Sequence, residues 1–200
     1  MSNPTELLPL LPGTPELIQY FQDQLTQRRP LSSKQIISAA ANYLGVPLGH
    51  GSYDFRYIYD ALEVALHQLI ETLIPRLQCL APSDAIAELD GLVACLPTPR
   101  IRTEEQDLFQ QFSTPATVAF LAACIAFPNP LPPQPFITLE PSAGTGALAC
   151  IARALGANII TNDLSTKRQA FLQFLGFNVN GFDAETIDDL LPTDVTPSVI

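Results

Sequence analysis

The chain has 200 residues, of which 47% are apolar and 15% charged, and its formal net charge is −10. This length and apolar fraction allow one domain with a buried core, or a domain with a helical extension. The Lys and Arg residues form no basic patch of the kind that nucleic-acid binders carry, so these residues alone are a poor DNA-binding surface, which still leaves DNA open as a substrate of a longer protein.

Helix-start signals and helical periodicity dominate the sequence as far as residue 127. Residues 14–16 place an N-cap hydroxyl, a proline and an acid in the order that begins a helix, and residues 32–35 form a capping box. Pro75 is expected to kink or break the longest helix. These signals predict helices over residues 14–29, 32–43, 53–79, 83–95, 103–111 and 114–127.

After a proline-rich connector at residues 128–135, the pattern changes to short strands that alternate with helices. Strands are predicted over residues 136–139, 158–161, 177–179 and 197–200, and helices over residues 147–155, 165–175 and 185–191. Alternation at this spacing favours a parallel sheet with right-handed crossovers. The predicted fold class is therefore α/β, with a Rossmann-like parallel sheet of three to four strands in residues 101–200 behind an all-helical region in residues 1–100.

The loop after the first predicted strand carries groups that suit an amino-acid ligand. Glu140 ends the strand, where its carboxylate can bind an ammonium group. Gly144 and Gly146 allow backbone angles that a Cβ would forbid, and they let a ligand approach the main chain. The helix that follows offers free N–H groups and a positive dipole end to a carboxylate. The two glycines alone are also compatible with a plain structural turn.

Two further acids follow the next two predicted strands. Asp163 can accept both hydroxyls of a ribose, as acids do at this position in dinucleotide folds, and Asp183 can accept from an exocyclic amine such as adenine N6. Taken alone, Asp163 is equally a cap of the following helix, and Asp183 is a solvated loop acid. Because open α/β sheets bind ligands at the carboxyl ends of their strands, the order of the three acids predicts a site for a nucleoside-type cofactor.

Two cofactors fit this pattern. Gly144, Gly146 and Ala149, with Asp163 further along, also match the nicotinamide fingerprint in its glycine/alanine form, which would indicate an NAD-dependent oxidoreductase. Glu140 stands before the first glycine, where a buried acid would repel a pyrophosphate and attract the ammonium of S-adenosylmethionine. The sequence therefore favours S-adenosylmethionine.

Residues 111–115, with the sequence Gln-Phe-Ser-Thr-Pro, and the loop at residues 140–146 together resemble the N6-adenine class of DNA methyltransferases. In that class a Ser/Thr-Pro element precedes the glycine loop, and its helix closes over the methionine moiety. Residues 102–146 are similar to the methyltransferase-like N-terminal region of bacterial and phage strawberry notch-type helicases. The resemblance covers about residues 55–200, and it implies a class I methyltransferase fold with S-adenosylmethionine as cofactor.

The resemblance also implies roles for individual residues. The aromatic residue and the Thr-Pro pair before the glycine loop would line the methionine end, although Thr-Pro is also a plain helix cap. The glycine loop would hold the amino-acid part, Asp163 the ribose and Asp183 the adenine. The predicted cofactor-binding residues are Phe112, Thr114, Pro115, Glu140, Ser142, Gly144, Gly146, Asp163 and Asp183.

The sequence departs from that family in one respect. The Asn/Asp-Pro-Pro-Tyr/Phe tetrapeptide, which grips the target amine at the end of the fourth strand in those enzymes, occurs nowhere in the chain. No catalytic residue is therefore assigned. The chain is expected to be a fragment of a larger methyltransferase or helicase protein, inactive alone, whose intact form methylates adenine in DNA. The alternative is a non-catalytic methyltransferase-like module that docks or regulates a helicase.

Neither a metal ion nor a membrane is an expected partner. The four cysteines are widely spaced, without a CxxC pair, and only two His are present, whereas structural zinc sites use closely spaced ligand pairs. The longest apolar run, residues 118–127, is far shorter than the about 20 residues of a membrane span. The N-terminus has no signal-peptide pattern, so a cytoplasmic protein with free thiols is expected.

Overall fold

The structure is a computed structural model, and it describes residues 9–45, 55–97, 113–127, 136–192 and 196–200. Its helices are α1 (Thr14–Thr26), α2 (Ser33–Leu44), α3 (Phe55–Leu77), α4 (Pro82–Val93), α5 (Ala116–Ala126), α6 (Ala147–Ala154), α7 (Thr166–Phe174) and α8 (Ile187–Leu190). Its strands are β1 (Ile137–Glu140), β2 (Asn158–Asn162) and β3 (Val179–Asn180), and a 3₁₀ turn covers Ala184–Thr186. The helix predicted over residues 103–111 lies outside the described residues.

Both predicted helix starts at the N-terminal end are confirmed, but only one of the two predicted caps is present. Ser32 caps α2 with the predicted box, because its side chain accepts from the Gln35 amide while the Gln35 side chain accepts from the Ser32 amide. Thr14 does not cap α1: Gly13, in the left-handed conformation, occupies the N-cap position instead. The Thr14 hydroxyl is hydrogen-bonded to the Tyr57 hydroxyl at 2.8 Å, so a tertiary contact replaces the local cap.

The sheet is parallel, with the order β1-β2-β3. Glu140 lies opposite Thr161 in the register of β1 and β2, and Thr161 lies opposite Val179 of β3. On the other side of β1, Val199 forms a parallel bridge to Thr138, where the sequence predicted a fourth strand. The predicted α/β class and parallel sheet are confirmed, and the order Val199-β1-β2-β3 corresponds to half of a Rossmann-like sheet.

Helix α3 lies at the centre of the packing. It contacts α1, α2 and α4 of the N-terminal region, and also α6 and α7, which flank the sheet. One hydrophobic cluster therefore includes Phe21 of α1, Ile70 of α3 and Phe171 of α7, each at most 1% exposed. The division of the chain near residue 100 stays a prediction, but the buried core extends across it. Pro75 does not break α3, which ends two residues later at Leu77.

Helix α3 also carries a polar stripe towards the sheet. Asp60, Glu63, His67 and Glu71 are spaced by three or four residues, and side chains at this spacing share one face of a helix. At the end of the stripe, Glu71 accepts two hydrogen bonds from Arg153 of α6, at 2.7 and 2.8 Å. Because such a paired geometry fixes orientation, this contact aligns α6 with α3.

Helix α5 is apolar on nearly every side. Val118, Leu121 and Ile125 are exposed, while Ala119 and Phe120 are buried in the core cluster. The helix has 11 residues. Within the described part of the chain, no helix combines the length and the apolar character that a membrane span requires.

The shared core predicts that the helical region and the sheet unfold together. We expect Phe21→Ala, in α1, to lower the free energy of unfolding by about 3–5 kcal/mol, because it opens a cavity at a fully buried position. Cys150 of α6 is also fully buried, so its labelling by a thiol reagent in urea, followed by peptide mass spectrometry, reports on the sheet. The labelling midpoint of Cys150 should fall together with the loss of helical circular dichroism.

A matched change outside the core provides the control. Ile125 is 86% exposed, so Ile125→Ala should leave both midpoints unchanged. A Phe21→Ala variant that lost helix signal at lower urea while Cys150 kept its original labelling midpoint would show two separate cores.

Candidate functional site

The glycine loop between β1 and α6 has the predicted left-handed conformations. Gly144 has φ +58° and Gly146 has φ +92°, and L side chains rarely adopt such angles. A Cβ at Gly146 would lie 3.1 Å from Leu175 Cδ1, whereas a Cβ at Gly144 would have only Arg168 Nη1 nearby, at 3.8 Å. Gly146 is therefore required by both conformation and space, and Gly144 by conformation.

Asp163 joins the tip of β2 to the glycine loop. Its Oδ2 accepts from the Gly144 amide and its Oδ1 from the Ser165 amide, both at 2.8 Å. The N-cap of α7 is Ser165, without a side-chain cap, so Asp163 contacts the residue before the helix and does not itself cap it. The residue is only 5% exposed. Each carboxylate oxygen has a second lone pair, which leaves acceptor capacity for a ligand hydroxyl.

Glu140, at the tip of β1, is in a strongly desolvated position. It borders an apolar cavity whose lining includes Phe127 of α5, Leu148 of α6 and Val199. This burial raises the pKa of Glu140 above its ordinary value; the Ser142 amide, which donates to the carboxylate, opposes the shift, and the charge of Asp163 adds to it. The two acids therefore interact across the loop and form one region of negative potential.

Arg168 of α7 compensates the negative charge of this region on the side of Asp163. Burial raises the pKa of Asp163, while the amides of Ser165 and Gly144 and the guanidinium of Arg168 lower it. Arg168 is itself 5% exposed, and its Nε and Nη2 have no hydrogen-bond partner among the described residues. Its charge therefore acts mainly as an electrostatic partner of Asp163.

Asn162 holds the loops around the site together, a role that the sequence did not reveal. Its Nδ2 donates to the carbonyl oxygens of Pro141 and Phe182, at 2.9 Å each, and its Oδ1 accepts from the Phe182 amide at 2.8 Å. The side chain is 1% exposed. The only indication of this role in the sequence is the position of Asn162 between a strand residue and Asp163, and many asparagines in loops share such a position.

Asp183 follows β3, as predicted, but it is exposed and has a local role. Its Oδ1 accepts from the Glu185 amide at 3.0 Å, which caps the 3₁₀ turn. This is the solvated loop acid that the sequence offered as the plain alternative. The preceding residue, Phe182, is the one that Asn162 links to the glycine loop, so Asp183 remains at the same edge of the sheet.

The predicted methionine-end element is only partly described, because Phe112 lies outside the described residues. Thr114 is partly buried, and Pro115 is exposed. The N-cap of α5 is Pro115, without a side-chain cap, so the predicted cap at Thr114 is wrong. The residue that makes the tertiary contact is Ser113, whose hydroxyl donates to Glu63 Oε2 at 2.6 Å.

Helix α3 contacts the glycine loop through two residues that the sequence reasoning missed. The Thr145 hydroxyl donates to Glu63 Oε2 at 2.8 Å, and His67 Nδ1 lies 2.9 Å from the Thr145 carbonyl oxygen. Burial lowers the pKa of His67, against the opposing effects of Glu63 and the Thr145 carbonyl. Since a carbonyl oxygen only accepts, Nδ1 carries the donated proton. The polar stripe on an otherwise apolar helix was the available signal.

The edge of the sheet thus offers complementary groups within one loop. The Glu140 carboxylate lies at one end of the loop, with the exposed Ser142 beside it. Helix α6 begins at the other end, after the Gly146 N-cap, and the amides of its first turn have no partner within the helix. Such an arrangement can bind a cationic group and an anionic group of the same small molecule.

No protein-family model, curated protein or solved structure matches this chain. Among the described residues, no group of three or more His, Cys, Asp and Glu is arranged to hold a metal ion. The four cysteines are free, with Cys95 and Cys150 buried. The function is therefore inferred from the geometry of the loop and its acids.

The role of Asn162 predicts a large loss of stability when its side chain is replaced by an apolar one of similar size. We expect Asn162→Leu to lower the free energy of unfolding by about 3 kcal/mol, because three partly buried backbone groups lose partners worth about 1–3 kcal/mol each. Urea unfolding followed by circular dichroism measures this. Asn180→Ser is the control, since the Asn180 side chain makes only a 3.5 Å contact to the Thr161 carbonyl. Equal losses in the two variants would contradict the assignment.

Proposed function

We propose that the chain binds S-adenosylmethionine at the glycine loop, as the cofactor-binding part of a class I methyltransferase-like domain. One observation carries the proposal: the carboxylate of Glu140, at the tip of β1, faces the same short loop whose far end opens α6 at the Gly146 N-cap. A zwitterionic amino acid needs a carboxylate for its ammonium and free amides for its carboxylate. This loop offers both.

The electrostatics of the two acids favours a cationic ligand group. Burial makes ionised Glu140 costly, and the neighbouring Asp163 charge adds to the cost. An ammonium group beside Glu140 would offset this cost, because an opposite charge within a few ångströms stabilises the ionised form. The same pair of acids would repel the pyrophosphate of a nicotinamide dinucleotide, so the oxidoreductase alternative is disfavoured.

The remaining parts of the cofactor are assigned by order along the sheet edge. The second lone pairs of the Asp163 oxygens would accept the ribose hydroxyls, and Asp183, which follows the Phe182 that Asn162 holds, would take the adenine. Thr114 and Pro115 would line the methionine end, in the segment that Ser113 ties to α3. Phe112, predicted for the same end, lies outside the described residues.

The reaction is proposed on the resemblance to N6-adenine DNA methyltransferases. In an intact protein of that kind, the methyl group would pass to an adenine amine that is flipped out of the DNA duplex. The tetrapeptide that grips the amine is missing from the sequence, so we expect no methylation of DNA by this chain alone. A module without catalysis, which docks or regulates a helicase, is the second candidate, and the low content of charged residues, 15%, fits it.

The proposed site predicts that the charge of Glu140 is needed for cofactor binding. We expect S-adenosylhomocysteine and S-adenosylmethionine to bind in isothermal titration calorimetry, and Glu140→Gln to weaken both by about 10–100-fold, since hydrogen bonds to charged groups contribute about 1.5–3 kcal/mol. NADH should give no binding heat.

The matched control removes the same charge elsewhere. Glu185, in the exposed 3₁₀ turn, has no assigned ligand, so Glu185→Gln should change the affinity by less than about 2-fold. If NADH bound while neither S-adenosylhomocysteine nor S-adenosylmethionine did, the oxidoreductase alternative would replace the proposal.

The raised pKa of Glu140 predicts how affinity depends on pH. The folded-state pKa lies above the ordinary value of 4.5, so ionisation of this carboxyl group destabilises the ligand-free protein. The contribution of Glu140 to the free energy of unfolding therefore declines as the pH rises through the raised pKa. An ammonium ligand favours the ionised form. Affinity should therefore be highest at neutral pH and should fall as the pH drops through the raised pKa, beginning above pH 4.5.

Calorimetry at a series of pH values measures this dependence. The burial of Asp163 shifts its pKa in the same direction, so a weaker slope should persist in Glu140→Gln. An affinity that rises towards acid pH in the wild type would contradict an ammonium beside Glu140.

A further inference from the structure

Helix α3 faces the proposed cofactor site with four polar side chains. Arg56, Asp60, Glu63 and His67 are spaced by four, three and four residues, so they lie along one face of the helix. Arg56 Nε is paired with Asp60 Oδ1 at 2.7 Å, and both side chains are almost fully buried. Arg56 and Asp60 thus pair with each other, whereas the partners of Glu63 and His67 lie in the site.

One oxygen of Glu63 connects two distant segments of the chain. Glu63 Oε2 accepts from Ser113 Oγ at 2.6 Å and from Thr145 Oγ1 at 2.8 Å. Thr145 lies between the two glycines of the loop, and Ser113 immediately precedes Thr114-Pro115. Because both hydroxyls meet the same oxygen, a shift of either segment changes the hydrogen bond of the other.

The neighbouring side chains strengthen this connection at both ends. Arg56 Nη2 donates to Ser113 Oγ at 3.3 Å, so the Ser113 hydroxyl accepts from a cation while it donates to a carboxylate. At the other end, His67 holds the carbonyl oxygen of Thr145. Hydrogen bonds in such a chain polarise one another. Thr145 is 2% exposed and is held through its hydroxyl and its carbonyl together.

We infer that Glu63 is a positioning residue that couples the glycine loop to the segment of Ser113, Thr114 and Pro115. The inference rests on the proposed function, under which these two segments hold opposite ends of the methionine part of the cofactor. Occupation of the glycine loop then sets the position of Thr114 and Pro115 through a side chain that does not touch the cofactor. The N-terminal helical region is, on this basis, part of the cofactor site.

The binding test uses the full chain and variants that change only the acceptor or one donor. We expect Glu63→Met, which keeps the length but removes the acceptor, to weaken S-adenosylhomocysteine binding about 10-fold or more. Glu63→Gln should stay within about 3-fold of wild type, because its amide oxygen can still accept from both hydroxyls. Ser113→Ala and Thr145→Val should each weaken binding in the wild type and add less than about 2-fold to Glu63→Met. Equal affinity of Glu63→Met and wild type would overturn the coupling.

A ligand-free measurement separates this inference from the proposed function. In amide hydrogen exchange followed by mass spectrometry, Ser113→Ala should speed exchange in the peptide that contains residues 143–146, although that peptide is distant in sequence. In the Glu63→Met background, Ser113→Ala should not increase the exchange rate of this peptide further. The control is Thr117→Ala, which removes a hydroxyl that donates to Asp90 of α4 at 2.8 Å and should leave that peptide unchanged.

The outcomes of the two measurements are distinct. Wild-type protein that binds neither S-adenosylhomocysteine nor S-adenosylmethionine overturns the proposed function, and the exchange measurement then decides the coupling by itself. Unchanged exchange at residues 143–146 in Ser113→Ala overturns the coupling, even where the cofactor binds. The coupling is supported if Ser113→Ala speeds exchange at residues 143–146 in the wild-type background and causes no further increase in the Glu63→Met background.

Discussion

The burial of two carboxyl groups at one edge of the sheet is the constraint on which the rest of the site depends. A parallel sheet brings the carboxyl ends of β1 and β2 to one edge, and this places Glu140 beside Asp163. Their charges must be offset by nearby groups if the loop is to keep its conformation. Asp163 receives two main-chain amides and the charge of Arg168. The left-handed Gly144 is part of this arrangement, because its amide donates to Asp163 Oδ2.

The support for that loop comes from outside the sheet. Helix α3 packs against α1 and α6, and the polar side chains of Glu63 and His67 reach the glycine loop. Glu63 and His67 therefore hold Thr145 through hydrogen bonds, while Glu71 and Arg153 align α6. A helix that is fixed by the core on two sides is a rigid reference for a loop that makes few contacts of its own.

The features that the sequence predicted correctly are those that local chemistry determines. The Ser32 capping box, the left-handed glycines and the short apolar strands each depend on neighbours within a few residues. The missed residues act across long separations: Ser113 and Thr145 lie 50 and 82 residues from Glu63. Periodicity shows which side chains of α3 share a face, but not which loop that face will meet. Thr14 was assigned wrongly for the same reason, since a distant tyrosine took the hydroxyl that a local cap would have used.

The charges that offset the two acids are unevenly distributed, and this bears on where a ligand would be held most strongly. Asp163 is partly compensated by the protein itself, through two amides and a buried guanidinium, but burial still raises the pKa of its carboxyl group. Glu140 receives the Ser142 amide alone, in a more apolar setting, and Asp163 repels it. The uncompensated negative charge of the loop is therefore centred on Glu140. A ligand group that removes this penalty must be cationic and small enough to reach the tip of β1, which an ammonium group satisfies and a phosphate does not.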